Sequence, residues 1–372
     1  MGINSFLIPV LKGALSLPSG VAYLLLAATF VPFLIFGYPA SATIAKIGYK
    51  RTMALSFLIF AVAFILFVLS AKLENFILPR ISQVDGMLES FADPAFQRLL
   101  VKAEQEAAVS ERDADYELLT ELLVCHVQKG DDRKNRAGII KATEIVDMVD
   151  NDALCGLTII NTLESIKPAW GNVSEGLAIL NRLYKKLEYM DLPMGIEWLE
   201  HLDALGAIRL SSGITTLKKF SEYYPGVLTG YACVGIKKGS EEHKKAVELL
   251  STVNIGLSGL ADNCFLDGYV RLEIVNKNHI DSLKIADSEG VHNIRPDEKK
   301  IFDDIWNMYE KNSALQNKVS RAFIDEWDSF ESLKKIHQWW DKIPTAFSIT
   351  QIGRILAHTN AKRCDPSLPD LL

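Results

Sequence analysis

FADPAFQRLLVKAEQEAAVS, residues 91–110, opens with an aspartate and a proline and continues with apolar residues at helical spacing. Asp93 is suited to cap a helix N-terminus, and proline is favoured at the first helical position that follows. Phe96, Leu99, Leu100 and Ala103 then fall at helical spacing, so that one face is apolar. The stretch therefore predicts an amphipathic helix that packs against a protein core.

The same pattern recurs downstream, where short breaks rich in Gly, Asp, Asn and Pro separate further apolar-periodic stretches. It predicts helices at residues 115–129, 136–149, 153–166, 174–190 and 193–205. Helices with such short connections favour antiparallel packing of neighbours. No residue pattern is shared from one helix pair to the next, which favours an irregular bundle over a helical repeat. We therefore expect a helical bundle at residues 93–205, preceded by a linker at residues 73–92.

Residues 206–295 differ in composition, with more glycine, proline and β-branched residues. The stretch GYVRLEIVN, residues 268–276, alternates apolar and polar positions as a half-buried strand does. A helix is predicted at residues 240–251, where Glu241 and Glu242 occupy the first turn and suit the helix dipole. The region is predicted to be a mixed α/β segment, with a small sheet or a winged element at residues 206–276.

Residues 296–372 are predicted to form a C-terminal helical segment that is dense in aromatic residues. Core packing is favoured over an exposed docking surface for these side chains because many recur at i, i+3 or i+4: Phe302, Trp306, Tyr309, Phe323, Trp327, Phe330, Trp339 and Trp340. A last helix is predicted near the end of the chain, capped by Ser348 or Thr350. Its apolar face would carry Ile352, Ile355 and Leu356.

The chain upstream of residue 73 is much more apolar. Residues 20–45 and residues 52–71 contain no charged side chain, and each stretch is long enough to cross a hydrocarbon core of roughly 30 Å as a helix. A buried hairpin of a soluble protein fits less well, and a cleaved signal peptide lacks its basic n-region. The sequence thus predicts a mainly α protein: a two-helix transmembrane hairpin at residues 1–72, joined to a soluble irregular helical bundle. The lipid bilayer is then a partner, and the inner membrane the location.

Three stretches of this hairpin resemble a known family. INSFLIPVLKGALSL (residues 3–17), GYPASATIAKIGYKR (residues 37–51) and TMALSFLIFAVAFILFVLSAK (residues 52–72) are similar to the sugar:cation symporters of the major facilitator superfamily, in the branch of fucose and glucose/galactose permeases. The resemblance implies that residues 2–72 match the end of a first transmembrane helix plus the second and third, with a cytoplasmic basic loop between the last two. The positions that match the transporter motifs are Asn4, Ser5, Lys46, Gly48, Tyr49, Lys50 and Arg51.

The departures from that family bear on function. Such a permease has twelve spans and binds its substrate between two bundles, which two spans cannot build. Ser5 stands where the fucose permeases carry a proton-titrating Asp, and neither predicted span contains an ionisable residue. The likeness ends after Lys72. We therefore expect a non-functional permease fragment fused to another domain, and that domain resembles bacterial helical domains of uncharacterised function, which implies no activity.

Composition excludes several classes of function. The net charge of −6 without a polybasic tract argues against nucleic-acid binding. The five cysteines form no C-x-x-C pair, which favours small buried side chains in a reducing compartment over a disulfide framework. The seven histidines lack zinc-site spacing, and no glycine-rich phosphate-binding loop is present. No cofactor and no metal site are predicted.

Two groups of residues are candidates for a catalytic or metal site. Cys125 and His126 are adjacent soft ligands, but neighbours on a helix point about 100° apart and cannot share a metal unaided. Asp262, Asp267 and Glu273 are candidate paired carboxylates, although acids are far more often simply solvated. We expect no enzymatic activity.

The architecture favours a membrane-anchored helical interaction or sensor protein, for example of the effector type, that recognises a protein partner or a second copy through its helical domain. The alternative is a remnant or accessory of a sugar:cation symporter. If the basic loop between the two predicted spans faces the cytoplasm, the helical domain lies on the other side of the membrane, since two spans return the chain to its starting side. The unpaired cysteines favour the cytoplasm instead, and the cytoplasm is the prediction.

Overall fold

The helical domain is described by a computed structural model, which covers residues 80, 90, 93–110, 112–130, 132–169, 171–211, 216–253, 259–287 and 290–370. The hairpin predicted for residues 1–72 and most of the linker predicted for residues 73–92 lie outside these ranges. Within them, no helix combines the length and the apolar character that crossing a membrane requires. The described chain is mainly helical, as the sequence predicts, with several short strands.

Six helices follow one another in the first part of this domain: α1 Pro94–Val109, α2 Asp113–Lys129, α3 Arg133–Thr143, α4 Asn151–Ser165, α5 Val173–Leu187 and α6 Glu197–Ala204. The capping prediction for α1 is confirmed, because the Asp93 carboxylate accepts a hydrogen bond from the Ala95 N–H at 3.0 Å. Its buried face carries Phe96, Leu99 and Ala103.

The predicted end of α3 at residue 149 is wrong, since the helix ends at Thr143. Beyond it, the Arg112 guanidinium donates to the carbonyl oxygens of Val146 and Val149, each at 3.1 Å. These bonds satisfy carbonyls that a continuing helix would have to pair internally. A side chain from the start of α2 therefore stabilises a run of turns in place of the last helical residues.

The predicted start of α6 at Pro193 is also wrong, because the helix begins at Glu197. Gly195 has a φ of +79°, in the left-handed region that favours glycine. The Pro193 carbonyl accepts a hydrogen bond from Trp339 Nε1 at 2.7 Å. Tertiary contact and a glycine turn thus hold these residues outside the helix.

The rest of the domain mixes short strands with helices. In chain order the elements are β1 Ile208–Leu210, α7 Phe220–Val227, β2 Ile236–Lys237, α8 Glu241–Thr252, β3 Leu260–Asp262, β4 Tyr269–Leu272, a 3-10 helix Lys277–Ser282, β5 Lys284–Asp287, β6 Gly290–Asn293, α9 Pro296–Asn307, α10 Ser313–Asp328, α11 Glu331–Trp340, β7 Phe347–Ile349 and α12 Gln351–Cys364. The predicted helix at residues 240–251 is α8, with Ser240 as its cap. The predicted strand at residues 268–276 is β4, although it is shorter.

The strands form three small antiparallel sheets in the described chain, and the one that lies wholly within residues 206–276 is the predicted small sheet. The central sheet has the order β2-β4-β3, in which Val270 pairs with Ile236 on one side and Asp262 on the other. A hairpin joins β5 to β6. The third sheet joins β1 to β7, with Ile208 opposite Ile349.

The predicted role of the C-terminal aromatic residues in the core is confirmed. Six of the eight are buried and the other two, Trp306 and Phe330, are half-buried against core clusters. Trp327 is fully buried and donates to the Leu333 carbonyl at 2.7 Å. These rings fix α10 and α11 against α7, where Tyr224 meets Trp327 edge-on.

Helix α12 lies at the centre of the bundle and packs against α2, α3 and α4. Of the two predicted caps, Thr350 is the one used, since its hydroxyl accepts from the Gly353 N–H at 3.2 Å while Ser348 lies in β7. Ile355 and Leu356 are buried as predicted. Burial extends around most of the helix and includes the polar Asn360, which donates to Thr158 Oγ1 at 2.8 Å.

Candidate functional site

An open cleft of about 520 Å³ lies where the N-terminus of α5, the β3–β4 sheet and α10 meet. We call it the α5–β4 cleft. Its polar lining comes from residues of all three elements: Ser174, Asp262, Arg271, Glu273, Asp325 and Glu326. These residues belong to separate parts of the sequence and are brought together only by the fold.

Arg271 is the deepest charged group of the cleft, with 2% of its surface exposed. It lies on β4 directly opposite Ala261, which also lines the cleft. Cross-strand partners share one face of a sheet, and the small alanine leaves room beside the guanidinium. The neighbouring residues Val270 and Leu272 point to the other face and pack in a hydrophobic cluster.

The hydrogen bonds of the Arg271 guanidinium are incomplete. Its Nη atoms donate to the carbonyls of Gly171 at 2.7 Å and Leu272 at 3.1 Å. The Nε atom is buried and has no acceptor among the described residues. Arg271 also forms no ion pair with a carboxylate in the described chain, and its charge lies 5.8 Å from the centre of the Tyr231 ring. A buried donor without an acceptor is costly, and this atom has almost no exposed surface through which a ligand could reach it.

Gly171 brings the loop before α5 close to the end of β4. A Cβ at this position would lie 2.1 Å from the Glu273 carbonyl oxygen, a distance that only glycine permits. The close approach lets the Gly171 carbonyl reach Arg271 and sets the N-terminus of α5 beside the cleft. Gly171 therefore positions both the Arg271 guanidinium and the N-terminus of α5.

The N-terminus of α5 adds further donors. Asn172 caps the helix, and its side-chain oxygen accepts from the Glu175 N–H at 3.1 Å. The N–H groups of Val173 and Ser174 have no acceptor among the residues that the structure describes. The first N–H groups of a helix carry the positive end of its dipole. Val173 and Ser174 line the cleft, so these unpaired donors lie at its edge.

Carboxylates also line the cleft. Asp262 pairs with Lys238 at 2.6 Å. Glu273, Asp325 and Glu326 form no ion pair within the described ranges. One cation and four acids give the lining a net charge of −3, which favours a ligand with positive charge.

Cys264 is an exposed cysteine at the edge of the same cleft. The adjacent Asn263 fixes the turn, since its side-chain amide donates to the carbonyls of Cys233 and Val234, each at 2.9 Å. Partial burial raises the pKa of the Cys264 thiol, and the charge of Arg271 offsets part of that rise. The thiol is therefore protonated at neutral pH and is not an activated nucleophile.

The structure places the sequence-predicted candidates differently. Asp262 and Glu273 do meet in the α5–β4 cleft, whereas Asp267 does not line it. Cys125 and His126 are buried in α2, where burial raises the pKa of the Cys125 thiol to about 12. The cavity beside Cys125 measures only about 10 Å³ and has no room for a substrate.

Other predicted features concern cysteines, metals and the transporter motif. Cys125, Cys155 and Cys233 are buried, as expected, while Cys264 is exposed. In the described part of the chain, no three His, Cys, Asp or Glu side chains are arranged to hold a metal ion. The transporter-motif positions lie outside the described residues: Asn4, Ser5, Lys46, Gly48, Tyr49, Lys50 and Arg51.

Sequence reasoning missed Arg271 as a site residue. The alternation in residues 268–276 correctly indicates which side chains face the hydrophobic cluster, but it also predicts that the polar ones face water. Arg271 is bonded instead to the carbonyl of Gly171, which is 100 residues away in the sequence. No local signal distinguishes it from a solvated arginine.

A model of an uncharacterised "-like" protein family matches residues 71–369, well over half of the chain. The chain belongs to this family. The family match includes every residue of the α5–β4 cleft and leaves residues 1–70 uncovered. No curated protein and no solved structure gives a significant match. The predicted kinship of the downstream region with domains of uncharacterised function is confirmed at that level, and the symporter resemblance of residues 2–72 stays a prediction.

Proposed function

We propose that this protein is a membrane-anchored sensor whose helical domain binds a small molecule in the α5–β4 cleft. Binding of the ligand would then alter how the helical domain interacts with a protein partner or with a second copy of the chain. The observation that carries the proposal is the cleft itself, an open space of about 520 Å³ that polar residues of α5, the β3–β4 sheet and α10 line together. A preformed cleft in which a few polar groups converge is the usual form of a small-molecule site.

A binding role is favoured over catalysis by the state of the groups in the cleft. The Cys264 thiol has a raised pKa, so no activated nucleophile is present among the lining residues. A general base with a matched proton donor would need an ordered chain of hydrogen bonds. Glu273, Asp325 and Glu326 form no such bond with another lining side chain.

The binding proposal is tested by thermal unfolding of the purified full-length chain in the presence of single compounds. The panel contains amino acids, polyamines, dicarboxylates, nucleotides and the sugars L-fucose and D-galactose. At least one class should raise the melting temperature of the wild type, because a ligand that binds only the folded state stabilises it. A panel without any such compound would refute the proposal.

Matched variants show whether a stabilising compound binds in the cleft. The combined substitution Asp325→Asn and Glu326→Gln removes two carboxylates of the lining. Glu222→Gln removes an exposed carboxylate on α7, outside the cleft. The thermal shift should be lost in the first variant and kept in the second, and equal shifts in both would contradict the proposed site.

The anchor is tested by fractionating a lysate without detergent. Residues 20–45 and 52–71 motivate the expectation that the full-length chain sediments with membranes in high-speed centrifugation. Recovery of the chain in the supernatant would contradict it. Exposed Cys264 also reports the side of the membrane: an impermeant maleimide should leave it unlabelled in intact cells if the helical domain is cytoplasmic.

The second candidate function is a remnant or accessory of a sugar:cation symporter. It is favoured by the resemblance of residues 2–72 alone, including the basic loop from Lys46 to Arg51. Cation-dependent uptake of L-fucose or D-galactose in a host that lacks the corresponding transporters would support it. Uptake no higher than that of the empty host would eliminate it.

A further inference from the structure

We infer that a second cleft of the helical domain binds a free fatty acid, with the carboxylate beside exposed cations and the alkyl chain on an aliphatic floor. The cleft lies where the end of α4, one face of α5 and the residues after α12 meet, and we call it the α4–α5 groove. It measures about 440 Å³ and shares none of its described lining residues with the α5–β4 cleft. The inference therefore goes beyond the proposed function and does not depend on it.

One stripe of α5 supplies both apolar surface and positive charge to the groove. Its members have the spacing i, i+3, i+4 and i+7, which places them on one face of the helix: Ile179, Arg182, Leu183 and Lys186. Leu183 is buried, whereas Arg182 and Lys186 are exposed. Aliphatic and cationic side chains therefore lie next to each other along this wall.

The floor of the groove is aliphatic. Leu180 of α5 and Ile166 at the end of α4 are buried, and Leu368 after α12 is half-buried. A volume of about 440 Å³ corresponds to roughly fifteen groups of the size of a water molecule or a methylene. The groove thus has room for one alkyl chain rather than for the two chains of a phospholipid.

The charges of the groove are positive on balance. Lys186 pairs with Asp365 at 2.8 Å. Arg182 and Lys167 form no ion pair with a carboxylate of the described chain. Three cations and one carboxylate give the lining a net charge of +2, although the whole chain carries −6. A local surplus of positive charge on an acidic protein favours an anionic ligand.

Lys167 is held at the groove by the end of α4. Its ammonium group donates to the carbonyls of Leu163 at 3.1 Å and Glu164 at 2.6 Å, which have no partner within the helix. Burial lowers the pKa of Lys167 to about 8, so the group is charged at neutral pH although it has no carboxylate partner. A carboxylate bound nearby would offset part of the cost of keeping this charge half-buried.

Other ligand classes use only part of the groove. An inorganic anion would meet the cations but would leave the aliphatic floor in contact with water. An alcohol with an alkyl chain would cover the floor but would leave the cations without a counter-ion. An alkylammonium compound would be repelled by the surplus positive charge. A fatty acid carries a carboxylate and an alkyl chain on one molecule and so uses both parts.

The inference is tested by isothermal titration of the full-length chain, purified in digitonin, which has no alkyl chain to compete for the groove. The probes are octanoate and three analogues: octanol lacks the charge, acetate lacks the chain, and octyltrimethylammonium reverses the charge. After subtraction of the same titration into protein-free buffer, octanoate should bind with a stoichiometry of one. It should bind at least about tenfold more tightly than each analogue. Octanol that binds as tightly as octanoate would overturn the inference, as would octanoate that does not bind.

A phospholipid is the other source of an anion with an alkyl chain. Dioctanoyl phosphatidate carries two such chains on an anionic headgroup. It should bind less tightly than octanoate, because the groove has room for one chain. Tighter binding of the phosphatidate would show that the groove takes a membrane lipid and would overturn the assignment to a free fatty acid.

Matched variants show whether octanoate lies in the groove. Arg182→Gln removes an exposed cation of the lining, and it should weaken octanoate binding at least about threefold without changing octanol binding. Lys185→Gln removes an exposed cation of α5 outside the described lining and should bind octanoate like the wild type. Equal octanoate affinities of these two variants would overturn the inference.

A second pair of variants adds a carboxylate instead of removing a cation. Ala169→Glu places it at an exposed position of the lining and should weaken octanoate binding, whereas Ala137→Glu places it on the exposed side of α3 and should not. Tryptophan fluorescence checks that each variant is folded. The combined substitution Asp325→Asn and Glu326→Gln should bind octanoate like the wild type. Loss of octanoate binding in that variant would place the probe in the α5–β4 cleft and would contradict the inference.

Discussion

Replacing Thr350 by alanine should destabilise the protein by removing the cap of its central helix. The Thr350 hydroxyl accepts from the Gly353 N–H at 3.2 Å and donates towards the carbonyls of Gly206 and Ala207, at 2.7 and 2.9 Å. It therefore does two things at once: it satisfies the start of α12 and ties that helix to the residues before β1.

The expected cost follows from these two roles. Loss of a threonine cap typically costs about 1 kcal/mol, and loss of one further hydrogen bond to a backbone carbonyl costs about 1 kcal/mol. We therefore expect Thr350→Ala to lower the free energy of unfolding by about 2 kcal/mol. Ser348→Ala is the matched control, because Ser348 is exposed in β7 and makes no cap. Its effect should stay within about 0.5 kcal/mol.

Urea unfolding of the full-length variants, followed by tryptophan fluorescence, measures both values. Trp198, Trp327, Trp339 and Trp340 are buried and report loss of the core. Equal destabilisation by the two substitutions, or a larger effect of Ser348→Ala, would refute the assignment of Thr350 as the cap and the role of this helix start in the fold.

Three further predictions concern backbone packing, pH and thiol reactivity. Gly230→Ala should lower the free energy of unfolding by more than about 2 kcal/mol, because its Cβ would lie 2.0 Å from the Ile274 carbonyl oxygen; Gly226→Ala, with nothing within 4 Å, should not lower it in the same urea assay. Burial lowers the pKa of His358 from 6.5 to about 4, so the folded state loses stability as the pH falls from 6.5 to 4, on the order of 3 kcal/mol; unfolding of His358→Gln at several pH values should lack this loss. Ellman's reagent should react fastest with Cys264, and Cys264→Ser should remove that fast phase.

Each of these three has a contrary result. Similar stabilities of the two glycine variants would contradict the close approach of Gly230 to Ile274. A pH profile of His358→Gln that parallels the wild type would show that His358 does not titrate as described. A fast phase that survives in Cys264→Ser would mean that another cysteine is the exposed one.

Much of the helical architecture could be predicted from local signals. Asp93 before a proline is a cap whose partner lies two residues on, and the predicted cap is confirmed. The helix predicted at residues 240–251 also forms, with the two glutamates in its first turn. The aromatic core of α10 and α11 was predictable for a related reason, because helical spacing places such side chains on one face. Structural features that depend on residues close together in the chain can therefore be predicted from the sequence.

The errors arise where distant residues compete with local preferences. Helix α3 ends early because Arg112 binds the carbonyls of Val146 and Val149. Helix α6 starts late because Trp339 binds the Pro193 carbonyl. Neither contact is indicated by the sequence on either side of it.

The candidate site was even less predictable. Asp262 and Glu273 were recognised as acids of interest, but their common cleft depends on the fold. The alternating pattern of the strand predicts that Arg271 is solvated. In the structure Arg271 is buried, and the loop at Gly171 lies against the end of β4. Gly171 and Arg271 are bonded to each other in the fold but lie far apart in the sequence.

The most direct test of the α5–β4 cleft as a ligand site is a crystal structure of the full-length chain grown with the compound that raises its melting temperature most. The account predicts that this compound lies in the cleft, in contact with Ser174, Asp325 and Glu326. An empty cleft in those crystals, or the compound bound only at another surface, would contradict it.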